Sequence, residues 1–279
     1  MNFMPAAPPL TRPQRATGRL SLSFHAQNTQ TKLKTFYQEG CLKARLPRPA
    51  TETTADLITL NISGGIAGGD SLSTSLTLEP HTSLRLATQS AERIYRALDA
   101  PATITTTIHL GAETRLDHLP QETILFNGFA LHRTLDIHLH ETSNLLAVES
   151  IIFGRQSSGE ILRSGHLRDR ITLHKNGQKI WQDITRLDGN IAHHLSRPAI
   201  ANGATAMSCL ILHAPHAKNY LTPLRTLFES SPLTAGATML DGILIARLLA
   251  PNSQTLRKTL TAALKLLRDQ DPLPTVWQG

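Results

Sequence analysis

The sequence predicts a mainly β protein: a layered body of short strands followed by a small helical C-terminal part. Three observations carry this. Between Leu20 and Leu187 the chain passes through short stretches in which apolar and polar residues alternate. Alternation puts one strand face inward and the other outward, because successive side chains point to opposite sides. Gly, Pro and Asn punctuate these stretches at close spacing, as they do in layered β architectures. After about Asn202 the apolar residues recur at helical spacing instead.

The elements follow in chain order. Residues 1–17 read as a flexible leader, since Pro5, Pro8, Pro9 and Pro13 lack the N–H and fix φ. Strands are predicted over residues 56–62, 72–78, 83–88, 103–110, 131–140 and 144–153. Residues 170–175, Asn176-Gly177 and residues 178–185 form a hairpin, because Asn-Gly supplies the two positive φ values of a type I′ turn. Residues 205–213 read as one more strand. Helices are expected over residues 221–230, 235–249 and 253–267, with Pro251 ending one and Ser253 capping the next. The expected organisation is a single domain over 18–279, with a β body to about 213 and a helical part over about 220–270.

Composition excludes several classes. At 279 residues, with 40% apolar and 18% charged residues, the chain can bury a sizeable core and is not a disordered polymer. It holds no uninterrupted apolar run of about 18 residues, so no membrane-spanning helix is expected. Its N-terminus lacks the apolar stretch of a secretory signal. Cys41 and Cys209 show no C-x-x-C spacing, which points to a reducing, cytoplasmic setting and not to a disulfide framework. The net charge of +7 suits an acidic partner, protein or nucleic acid. The 4% aromatic content disfavours a single-strand stacking platform.

The most unusual motif is Asn61-Ile62-Ser63-Gly64-Gly65-Ile66-Ala67-Gly68-Gly69-Asp70. It lacks the Gly-Lys-Ser/Thr ending of a phosphate loop and the spacing of a dinucleotide loop. Strand-like sequence flanks it, so it joins strand to strand. Paired glycines permit a sharp corner with positive φ; the functional reading is a loop that presents Asp70. His132, Asp136, His138 and His140 fall on one face of a predicted strand, ordinarily a polar solvent-facing side, with metal ligation the sharper alternative. Hydrolase signatures such as G-x-S-x-G and H-E-x-x-H are missing. Two basic groups, Lys32 to Arg48 and Arg257 to Arg268, read as solvated faces or as a docking surface for an acidic protein.

Five segments in order resemble the urease accessory protein UreD family. They are Tyr37 to Arg48 (YQEGCLKARLPR), the glycine motif (NISGGIAGGD), Thr88 to Arg96 (TQSAERIYR), Leu119 to Phe126 (LPQETILF) and Glu149 to Glu160 (ESIIFGRQSSGE). Leu273-Pro274 and Val276-Trp277 extend the resemblance to the C-terminus. It implies an elongated two-layered β-helical body with helices near one end. It also implies a non-catalytic scaffold joining urease structural subunits to UreF-type and UreG-type accessory proteins, UreG being the GTPase. Nickel(II) would be in transit, with no tightly bound cofactor, no nucleic acid and no membrane partner. The stretch before the glycine motif, Ile58, Thr59 and Leu60, departs from the Cys or His often found there in the family.

Nickel(II) binds His and Cys strongly, so a path that must release it suits oxygen donors better than a closed cage. Asp70, Glu122, Glu149 and Glu160 lie in the matched segments and are the expected residues of such a path. Two other classes stay open from the residues alone. One is a β-helical carbohydrate-active enzyme, which needs a carboxylate cluster in an aromatic groove. The other is a basic nucleic-acid-binding β protein, whose binding would fall with salt.

Overall fold

The computed structural model describes residues 15–49, 51, 53–155 and 158–277. Residues 1–14 of the expected leader lie outside these; Thr17 already begins a strand. Strand β1 (Thr17–Gln27) turns into antiparallel β2 (Gln30–Gly40), and β3 (Leu42–Arg45) pairs antiparallel with β4 (Ala55–Asn61). Then come β5 (Ser71–Leu78), β6 (Ser83–Thr88), short β7 (Glu92–Ile94), β8 (Ala102–Leu110), β9 (Arg115–Leu119) and short β10 (Thr123–Leu125). Long strands β11 (Phe129–Leu139), β12 (Asn144–Phe153), β13 (Gly165–Lys175) and β14 (Gln178–Gly189) complete the body. The C-terminal part is helix α1 (Ile191–Ser196), β15 (Ala206–His213), α2 (Leu221–Glu229), β16 (Thr234–Leu240), β17 (Ile243–Ala250) and α3 (Ser253–Leu267).

Successive strands go to opposite layers. One sheet runs β14-β13-β11-β8-β5-β1-β2, and the other runs β16-β17-β15-β12-β9-β6-β4-β3. Within the first, β1, β5, β8, β11 and β13 pair in parallel; within the second, β4, β6, β9 and β12 do. From β4 to β13 the chain therefore alternates between the layers, with short β7 and β10 added to the second sheet, which is the two-layered β-helical body expected. Antiparallel strands close it: β2 and β14 at the two edges of the first sheet, and β15, β17 and β16 extending the second.

The main core fills the space between the layers, with Leu22, Leu76, Ile108 and Ile137 facing Leu57, Leu84, Leu116 and Leu145. A second core lies on the outer face of the second sheet. There Leu146, Val148, Leu210, Leu244 and Leu248 pack against Leu224, Phe228, Leu256, Leu260 and Leu264 of the helices. Each such Leu contributes about 1.5–3 kcal/mol relative to exposure. The second sheet is thus buried on both faces along β12, β15 and β17, and a doubly buried strand reads as a continuous apolar run.

That burial explains one correction. The helix expected over residues 235–249 is the hairpin β16–β17. Asp241 (φ 48°) and Gly242 (φ 81°) form its two-residue turn, the chemistry of a type I′ turn. The apolar residues that mimic helical spacing are those of a strand covered on both sides. One smaller correction follows. Helix α3 is capped by Asn252 and not by Ser253: the Asn252 side chain accepts from the Thr255 N–H at 2.7 Å, worth about 1 kcal/mol. His193 and His194 sit in α1. The Asn176-Gly177 hairpin forms as expected, with φ of 52° and 79°.

Candidate functional site

The glycine motif leaves β4 and enters β5 through a tight corner. Gly64, Gly65 and Gly69 have φ of 78°, 141° and 84°, values that an L side chain strains to adopt. Gly65 has a second reason to be glycine: a Cβ there would lie 2.3 Å from the Tyr95 ring. Tyr95 in turn donates from its hydroxyl to the Gly64 carbonyl at 3.1 Å and meets Phe126 edge to face, with centroids 5.0 Å apart. Asn61 Oδ1 accepts from the Ser63 N–H and hydroxyl, which starts the turn.

Behind this corner a cavity of about 250 Å³ lies between the sheets. Its lining runs from exposed Gly64 and Ser90 to half-buried Glu149. Glu92 stands beside the glycine corner, where Asn61 Nδ2 donates to both its carboxylate oxygens at 3.2 and 3.3 Å. Burial pushes the Glu92 carboxyl up to about 7, against smaller lowering effects of Asn61 and Arg93.

At the deep end, Arg133 of β11 reaches across to Glu149 of β12, Nη1 to Oε2 at 2.7 Å. The same guanidinium grips Asp169 of β13 with two bonds of 2.8 and 2.6 Å and donates to the Thr123 hydroxyl at 3.0 Å. His118 Nε2 lies 3.1 Å from Glu149 Oε1. Burial pushes the Glu149 carboxyl up, but Arg133 and the His118 hydrogen bond outweigh it and hold the pKa below the usual value. Burial likewise disfavours charged Arg133, and Asp169 with Glu149 more than offset it. The guanidinium thus faces two carboxylates, Glu149 in the cavity lining and Asp169 outside it. His118 Nδ1 is buried there without a hydrogen-bond partner. An orphaned buried nitrogen on a ring beside a carboxylate is an environment that favours a cation or a water.

Of the four expected path residues, the cavity lining includes Glu149 alone. Asp70 is buried and staples the glycine corner, its carboxylate accepting from Ala16 N–H and Ala67 N–H, both at 2.8 Å. Glu122 pairs with Arg257 at 3.3 Å in a separate cleft under α3. Glu160 accepts from the Asn127 and Arg155 backbone N–H groups at 3.1 and 3.0 Å. Those bonds more than offset its partial burial and lower its pKa. Sequence reasoning missed Glu92, His118, Arg133 and Asp169. A signal existed for two of them. Arg133 follows Phe129 and Leu131 at every second position of β11, and Asp169 follows Leu167 in β13, so both are charges on the inward parity.

Cys209 is buried, and burial above all pushes its thiol up to about 12; it is protonated at neutral pH and a poor metal ligand. Burial raises Cys41 as well. Among the described residues no three or more His, Cys, Asp or Glu side chains gather around one point as a metal cage. None of the helices is long and apolar enough to cross a membrane.

A two-layered solenoid enclosing a partly polar cavity defines a β-solenoid protein. Comparison with known proteins places it more closely: the family model for the UreD urease accessory protein matches residues 16–278. A urease accessory protein UreD from Rhizobium rhizogenes is 39% identical over 274 residues, covering 98% of this chain and 99% of its own. Its counterpart from Agrobacterium fabrum is 36% identical over 266 residues, covering 95% and 92%. The chain belongs to the UreD urease accessory protein family.

Proposed function

We propose that the chain serves urease maturation as a non-catalytic scaffold, holding apo-urease together with UreF-type and UreG-type partners. In this reading the inter-sheet cavity passes nickel(II) during GTP-dependent insertion, and GTP is bound by the partner. The observation that carries it is the cavity's charge: Glu92 beside the glycine corner, Glu149 at the deep end, and the unpartnered His118 nitrogen next to it. Nickel(II) would meet oxygen donors in the Glu92 and Glu149 carboxylates. Carboxylates hold it less tenaciously than a set of imidazoles or thiolates, which suits a species that must be released. Asp70, Glu122 and Glu160 serve the path only indirectly here, by fixing the corner, the helix and the loop that border it.

The experiment is co-expression of urease subunits with UreF-type and UreG-type proteins and this chain, wild type or Glu92→Gln. The variant is expected to assemble the complex and deliver less nickel to urease. Urease loaded to the same level without this chain would overturn the reading.

A further inference from the structure

Outside the cavity, the outer face of the first sheet carries a second arrangement of chemistry-bearing side chains. His132 of β11 and His166 of β13 turn their Nε2 atoms toward each other at 3.1 Å, with ring centroids 5.2 Å apart. Two imidazole nitrogens bound to one cation at about 2.1 Å stand about 3.0–3.4 Å apart, for octahedral to tetrahedral angles. On the next strand, Asp188 Oδ1 lies 3.3 Å from His166 Nδ1. A carboxylate there holds the proton on Nδ1 and leaves the Nε2 lone pair free, the usual support of a metal-bound histidine. His194 Nε2 bonds the Asp188 carbonyl oxygen at 2.9 Å and so fixes the strand end that carries the carboxylate.

We propose that His132 and His166 form a two-histidine site for a divalent transition-metal cation, with Asp188 orienting His166 and water completing the shell. Imidazole pairs suit borderline cations such as nickel(II), zinc(II) and copper(II). Partial burial first, and then the fields of His166 and Arg168, hold the His132 pKa below its usual value. Arg168 also opposes a bound cation, and two protein donors leave the metal exchangeable. The neighbouring row His109, His138 and His174 differs in kind. Its rings lie nearly parallel, at 14°, with centroids 4.4 and 4.7 Å apart, so their nitrogens do not converge on one point.

The test is equilibrium dialysis of the purified full chain against nickel(II) or zinc(II) chloride alone, at neutral pH. His132→Ala and His166→Ala are each expected to lose one bound equivalent. Asp188→Asn is expected to keep it with affinity weakened about tenfold. His138→Ala is expected to bind as wild type does, which separates this pair from the neighbouring histidine row. Circular dichroism checks folding, and His132 and His166 are both partly exposed. Should either alanine variant misfold, the copper(II) form of the wild-type chain decides by electron paramagnetic resonance, where two coupled imidazole nitrogens are expected. Equal stoichiometry in wild type and both folded alanine variants, or a copper spectrum without paired nitrogen coupling, overturns the site.

Discussion

Arg133 in one sheet lies 2.7 Å from Glu149 in the other, Nη1 to Oε2, so an ion pair ties the two layers at the deep end of the cavity. Breaking such a pair strands the surviving charge, which typically costs about 3–5 kcal/mol. Arg133→Ala is therefore expected to lower stability by about that amount, because it leaves both Glu149 and Asp169 unpaired. Glu149→Gln is expected to cost less, since Asp169 still satisfies the guanidinium through two bonds. Urea unfolding of the two variants checks the order.

Glu92 gives a pH dependence with a definite sign. Its carboxyl is pushed from an ordinary 4.5 up to about 7 in the folded chain, chiefly by burial. Between these values the folded state holds the proton more tightly than the unfolded state. Stability contributed by Glu92 therefore falls as pH rises through that window. Glu92→Gln should remove this slope and exceed the wild type by ~3 kcal/mol above about pH 7. Urea midpoints measured on both sides of the window decide it; parallel profiles for variant and wild type would contradict it.

The glycine corner separates two causes of strain. Gly64 (φ 78°) has open space where a Cβ would go, whereas at Gly65 (φ 141°) a Cβ collides with Tyr95. Gly64→Ala should cost about 1 kcal/mol from backbone conformation alone, and Gly65→Ala about 2–3 kcal/mol. Adding Tyr95→Ala should relieve part of the Gly65→Ala penalty and none of the Gly64→Ala one. Thermal unfolding of the single and double variants reads this directly.

The C-terminus is clasped by a single aromatic residue. Trp277 is buried, donates from Nε1 to the Leu119 carbonyl at 2.8 Å and lies under the Arg257 guanidinium, 3.9 Å from its ring centroid. Trp277→Ala is expected to destabilise by about 3–5 kcal/mol. Trp277→Phe should recover most of the packing and lose the hydrogen bond. Denaturation midpoints of the pair report the difference.

How much the sequence disclosed depended on how many faces of each strand are covered. Strand β11 has one covered face, so Leu131, Leu135 and Ile137 alternate cleanly with His132, Asp136 and His138, and the strand was legible. Strand β17 is covered on both faces, its period vanished, and only the Asp241-Gly242 pair marked it as half of a hairpin. Asp70 was prominent because it closes a rare motif, yet its role is to accept two backbone N–H groups. Glu92 and His118 were not legible. The solenoid brings β4, β7, β9 and β12 together around the cavity, and no local spacing encodes that meeting. The alternation did hold one unread sign, since Arg133 and Asp169 sit at positions where the pattern demands an apolar residue. A charge at such a position requires a buried partner, and the two turn out to be partners of each other.

The most direct measurement is the nickel content of urease purified from cells expressing its subunits, the UreF-type and UreG-type proteins, and either the wild-type chain or Glu92→Gln with Glu149→Gln. With nickel passing through the cavity, the double variant should still co-purify with the complex while urease carries several-fold less nickel. Wild-type nickel loading with the double variant in an intact complex would contradict passage through the cavity.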